Sequence, residues 1–320
     1  PGYHMTNIVR EAMRFQVREI TDPQQQVAAA RNLIHFLADA IPETQSAYGA
    51  FLRDYDQMLA RDIKGSHAAF LLHDELAAIN EPVYFHQFVN HAVQHGLQYL
   101  VEAELRTVFP HGFPPAVVQQ LQALAHDTIA MEQYLDFLRN RMFRQTLLCH
   151  ADAALDRTLR PQRVQRCTVR SQARPLTETP DLAGATVERF RSPAGHTLSI
   201  DHPVSKAAFC HLNACWPQAI PFATLLSIAR ARLGLSLDPQ TDPAAWQRDA
   251  HALAANLLRG YSYDEHLVEL HTFMPHLATT LTSRPQVSPV ARWQAQTGPF
   301  VTTGWHERVQ LEPLQLHLLT

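Results

Sequence analysis

His91 and His95 stand four residues apart in a stretch of helical periodicity, so they share one helix face. Two imidazoles at that spacing can hold a metal ion when a third ligand joins them. His86 and the His73-Asp74 pair are close in sequence, but helix surfaces often carry such pairs. A structural or hydrogen-bonding role is favoured, and no metal site is expected. Tyr84, Phe85, Tyr99, Tyr134 and Phe137 are aromatic residues that could line a pocket for a lysine or another cationic group. Burial in a core is the simpler role for most of them. Arg139, Asn140, Arg141, Arg144 and Gln145 crowd between a predicted helix and the strand after it. There they would either hold an acidic substrate segment or cap the helix.

Other chemistries are missing. None of the eleven glycines makes a GxG pair, which excludes the dinucleotide fingerprint and the P-loop. HExxH, GxSxG and zinc-ribbon spacings are absent. No cofactor site is expected in these residues. Cys149, Cys167, Cys210 and Cys215 form no CxxC pair and no disulfide framework. A cytoplasmic setting is the default expectation. A net charge of −3 gives no global pull toward nucleic acid or anionic membrane. No apolar run approaches the roughly 20 residues that span a bilayer.

The elements that must position these residues follow from pattern. Asn80–Leu100 organises the chain: Pro82 opens a helix whose apolar face is Phe85, Phe88, Val89, Ala92 and Val93. Gly96 ends it, and Leu97–Ala103 reads as a buried strand. Before it, helices are expected over Met5–Glu19, from Asp22-Pro23 to Pro42, and from a Thr44 cap to about Asp62. Gly65 and Ser66 mark a turn. A long helix is expected from Pro115 to Arg141, then a second strand, Phe143–Cys149.

Residues 156–184 read as a linker rich in Arg, Gln, Thr and Pro. Arg157, Arg160, Arg163, Arg166, Arg170 and Arg174 resemble a patch for nucleic acid or an acidic partner, although a solvated connector is the plainer reading. From 185 to 320 a hairpin around Ser192–Gly195 precedes helices at Pro203–Cys215, Phe222–Leu233 and Ala244–Arg259 and a strand at Leu267–Phe273. That order is a winged-helix plan. The third helix carries only Arg248 and Arg259 beside Asp249, which is poor for phosphate contacts, so nucleic acid is an unlikely partner. The fold class expected is mainly α with small β elements. It comprises a helical domain with a two-strand pair (1–155), the linker, and a winged-helix-like domain (185–320).

Several stretches carry a family resemblance: Pro1–Met5, Asn80–Leu100, Asp136–Cys149, Val268–His271 and Ser288–Arg292. They are similar to bacterial class I methyltransferases with a methyltransferase regulatory domain. The rickettsial protein-lysine methyltransferases are similar in layout. The resemblance implies an S-adenosylmethionine domain preceding Pro1, as a partner of these residues, with S-adenosylmethionine as cofactor of the full-length protein. The chain is then expected to be a fragment with a regulatory and substrate-recognition role, acting on a protein substrate, with protein lysine as the acceptor. A homodimer is compatible with this reading. In that family's fold the two predicted strands would close a sheet as an antiparallel pair. The helices before them would cover the active-site mouth. Tyr84, His86, Tyr134, Arg139, Asn140 and Arg144 are the substrate-facing candidates. The alternative is a non-catalytic protein-interaction module that docks through the winged-helix-like domain.

Overall fold

The computed structural model describes every residue except 1, 43, 45, 61–68, 111, 265, 276, 278–286 and 320. The expected Gly65-Ser66 turn lies outside the described residues. The chain forms two compact units, Pro1–Leu155 and Asp156–Thr320. Both are mainly helical with small antiparallel sheets, as the patterns predicted.

In the first unit, α1 (Gly2–Val17), α2 (Pro23–Ala40) and α3 (Ala47–Ala60) pack through apolar stripes. Val9, Met13, Ala30, Ile34, Leu52 and Leu71 are fully buried between them. Asp22 caps α2 by accepting from the Gln25 N–H at 2.8 Å, and Pro23 supplies a first-turn residue that needs no donor. Ser46, not Thr44, caps α3: its hydroxyl accepts from the Gly49 N–H at 3.0 Å. Leu71–Glu75 is a single π-helical turn.

α4 (Phe85–Gln94) starts later than predicted. Pro82 lies before it in extended chain, because Tyr84 takes the cap position and its N–H donates to the Gln87 side chain at 2.9 Å. Gly96, at φ +71°, makes the left-handed turn into β1 (Leu97–Glu102). The long helix is broken. α5 (Pro115–Leu124) and α6 (Thr128–Arg139) are separate, because Asp127 turns extended and caps α6 through the Ala130 N–H at 2.7 Å. β2 (Thr146–His150) pairs antiparallel with β1, Leu97 opposite His150 and Glu102 opposite Thr146.

The second unit corrects the expected linker. Residues 156–184 contain α7 (Pro161–Val164), β3 (Thr168–Arg170) and β4 (Arg174–Pro175). β3 is the central strand of a sheet with β7 (Ile220–Pro221) and β8 (Glu269–His271). A segment inside a sheet needs its backbone bonded, and β3 bonds on both edges. β4 pairs with β5 (Glu188–Arg191), which pairs with β6 (Thr197–Ile200) around the predicted hairpin turn. α8 (Pro203–Cys215), α9 (Phe222–Arg232) and α10 (Pro243–Tyr263) bury Phe209, Leu212, Leu225, Leu253 and Leu257 against Phe190 and Ile200. α11 (Pro289–Ala295), the β9–β10 hairpin (Phe300–Thr302, Arg308–Gln310) and α12 (Pro313–Leu319) follow.

Candidate functional site

Five stretches of the first unit converge on one pocket of about 760 Å³. Tyr3 and His4 come from the start of α1, and Phe70 and Asp74 from around the π-helical turn. Asn80, Pro82 and Val83 come from the extended approach to α4, and Phe85 and Phe88 from α4 itself. Asp136 and the Arg141–Arg144 segment close the far side. The Tyr3 hydroxyl accepts from the Asn80 amide at 2.6 Å, and the same amide donates to the Asp74 carbonyl at 2.8 Å. Burial, then the neighbouring Glu75 carboxyl, pushes the Tyr3 phenol above its ordinary value, so it stays a neutral hydroxyl. Asp74 is exposed at the pocket wall, and its carboxylate has no ion-pair partner among the described residues.

Beneath the pocket lies a buried charge network. The Arg144 guanidinium donates to Glu102 at 2.6 Å, to Glu132 at 3.0 Å and to both oxygens of Asp136 at 2.9 Å. Arg141 sits 3.2 Å from Asp136. Glu102 also accepts from the Thr146 hydroxyl at 2.8 Å and the Gln145 N–H at 3.1 Å, which ties β2 to β1 through side chains. The three carboxylates are all nearly inaccessible to water. Burial raises the Glu132 pKa against the opposing pull of Arg144, and one Glu132 oxygen has no hydrogen-bond partner. Three carboxylates thus face two guanidiniums in this network. Burial works against the charge on Arg144, but Asp136, Glu102 and Glu132 outweigh it and raise its pKa.

The predicted candidates are sorted by this geometry. Arg144 lines the pocket and anchors the network. Arg139 turns away, donating to the Thr107 and Phe109 carbonyls, and its pKa is lowered by burial and then by Arg141. Asn140 takes the left-handed conformation at φ 47°. The Arg141 N–H bonds back to the Asp136 carbonyl at 3.0 Å, the Schellman closure of α6. Tyr84 packs beside His4, His86 and Phe137 just outside the pocket wall. The His86 ring lies 3.0 Å from the Gln133 side-chain oxygen. Tyr134 is half-buried on α6 and lies outside the wall. His91 and His95 touch edge to face, and no group of three metal-ligating side chains exists among the described residues.

Sequence reasoning missed Tyr3, His4, Phe70, Asp74 and Asn80. They are separated by up to 77 positions, and no periodicity links them. No local pattern announces the π-helical turn that carries Asp74.

Residues 67–150 match a predicted methyltransferase regulatory domain. The match covers α4, α5, α6 and the β1–β2 pair, with most of the pocket. An uncharacterized protein of Rickettsia prowazekii, RP789, is 34% identical over 239 residues, covering 73% of this chain and 42% of that protein. A second, RP028, is 28% identical over 92 residues, 29% of this chain and 35% of that protein. The chain thus spans less than half the length of these curated relatives. Its fold is similar to PKMT2 from Rickettsia typhi solved in complex with AdoHcy, with a TM-score of 0.76 at 24% identity, covering 99% of this chain and 61% of that one. Another structure of PKMT2 from the same organism gives 0.73 at 25% identity, covering 97% and 59%.

A nucleoside cofactor needs backbone that can close on it, usually through glycine at a strand-to-helix turn. The glycines of positive φ, Gly96, Gly112, Gly195 and Gly234, border open space at helix ends and turns. None of the four forms a glycine turn between a strand and a following helix.

Proposed function

We propose that this chain is the regulatory and substrate-recognition portion of an S-adenosylmethionine-dependent methyltransferase whose acceptor is a protein lysine. The observation that carries the reading is the pocket. Aromatic walls from Tyr3, Phe70, Phe85 and Phe88 surround a carboxylate, Asp74, that has no ion-pair partner among the described residues, and all but Tyr3 fall in the segment that matches the regulatory-domain model. Aromatic faces and one carboxylate suit a long cationic side chain: the rings cover its methylenes and the carboxylate meets its ammonium. The likeness to PKMT2 with AdoHcy supports a partner domain that binds S-adenosylmethionine. In the second unit, α8, α9 and α10 with the β7–β3–β8 sheet support a winged-helix-like domain for docking.

The test is methyl transfer to a lysine peptide by the protein that carries this chain together with an S-adenosylmethionine domain. Asp74→Asn and Phe88→Ala should raise KM for the peptide about tenfold, the loss of roughly 1.4 kcal/mol of acceptor binding, with kcat little changed. Unchanged KM in both variants refutes the reading.

A further inference from the structure

The arginines of the 156–174 stretch are held in different ways. Arg170 is buried, held between the Trp216 and Trp305 rings and paired with Glu269 and Glu307. Arg160 and Arg163 pair with Asp156. Arg174 does neither. It lies on β4 directly opposite Arg191 of β5.

The β4–β5–β6 sheet buries one face through Phe190, Leu198 and Ile200. Its other face is exposed and has two rows. Arg174, Arg191 and Thr197 lie side by side in the first row. In the second, Arg189 lies opposite Ser199, with Leu176 on its other side through the bond from the Leu176 N–H to the Arg189 carbonyl. Arg174, Arg189 and Arg191 have no hydrogen bond from their guanidiniums and no ion pair among the described residues. At the edge of β6, Arg259 reaches in to the Ser199 carbonyl. Like charges placed opposite each other destabilise a sheet. This face carries such a pair, and neither arginine is ion-paired to an acid among the described residues.

We propose that this face binds an extended acidic segment of a partner protein. Arg189 and Arg191 are two residues apart on one strand, so their side chains rise about 6.7 Å apart. An extended chain with Asp or Glu at alternate positions repeats at the same distance. Each carboxylate can then take a bidentate guanidinium contact, while Thr197 and Ser199 offer hydroxyls. The described face carries no aromatic residue on which a base could stack, which favours polypeptide over single-stranded nucleic acid.

The experiment is a binding titration of the full 320-residue chain with a fluorescent peptide bearing Glu at alternate positions. A peptide with the same glutamates in one block and a single DNA strand of equal charge serve as comparisons. The alternating peptide binds most tightly, and added salt weakens it. The double variant R189S/R191S and the single variant R174S, all exposed and expected to fold, reduce affinity, the double by about tenfold or more. R160S/R163S leaves it unchanged. Absence of saturable binding, or affinity unmoved in R189S/R191S, overturns the proposal. Tighter binding of the DNA strand overturns the assignment to polypeptide.

Discussion

The Arg144 guanidinium carbon lies 3.7 Å above the centre of the Phe85 ring. One side chain thus joins the buried acids of β1 and α6 to an aromatic wall of the pocket. The planar guanidinium can stack and fork at once, which an ammonium cannot. Arg144→Ala leaves Glu102, Glu132 and Asp136 buried with Arg141 as the remaining cation. Breaking such a network costs about 3–5 kcal/mol. Arg144→Lys is expected to recover only part of it. Urea unfolding of the first unit's transition checks both.

Glu75 sits on the π-helical turn with no accessible surface, and neither carboxylate oxygen has a hydrogen bond of good geometry. Burial raises its pKa from the ordinary 4.5, against the pull of the Tyr55 and Tyr3 hydroxyls and Arg10. Between the unfolded and folded values the native state holds more protons. Stability therefore falls as pH rises through that window, and is greatest below it. Glu75→Gln should flatten this slope and raise stability at neutral pH by about 1–3 kcal/mol, the scale of an unsatisfied buried polar group. Thermal melts of both proteins across mildly acid to neutral pH measure it. A variant that melts lower at neutral pH, with its slope intact, contradicts the assignment.

Gly2 is buried where α1 meets the turn after α6. Its N–H donates to the Arg141 carbonyl at 3.0 Å, and a Cβ there would clash with the Asn140 carbonyl oxygen. Gly2→Ala must push α1 from that turn and open the pocket at Tyr3. Asn140→Ala strains the left-handed cap by about 1 kcal/mol, whereas Asn140→Gly is neutral or mildly stabilising. Melting temperatures should rank Gly, Asn, then Ala at position 140.

The strand pair was legible because each strand is a short apolar run with a sharp boundary, Gly96 before one and the close of α6 before the other. The α2 start was legible from Asp22-Pro23. The break between α5 and α6 was not, because the apolar spacing continues through Ala125–Asp127 and only the Asp127 cap decides it. The buried acids look like surface charges in sequence. Glu102 and Glu132 are 30 positions apart, and what makes them interior is Arg144. Residues 156–184 read as a connector because β3 is three residues long and ends in a charged arginine. Arg170 is buried by Trp216, Trp305, Glu269 and Glu307, all distant in sequence. The pocket was only partly visible, since Tyr3, Asp74 and Asn80 meet through the fold alone.

Calorimetric titration of the 320-residue chain with a lysine peptide, and separately with S-adenosylmethionine, tests the assignment of recognition to these residues. The peptide is expected to give saturable heat, with affinity about tenfold weaker in Asp74→Asn and weakened on acetylation of the lysine, and S-adenosylmethionine to give none. Tight binding of S-adenosylmethionine by this chain, with no response to the peptide, would contradict it.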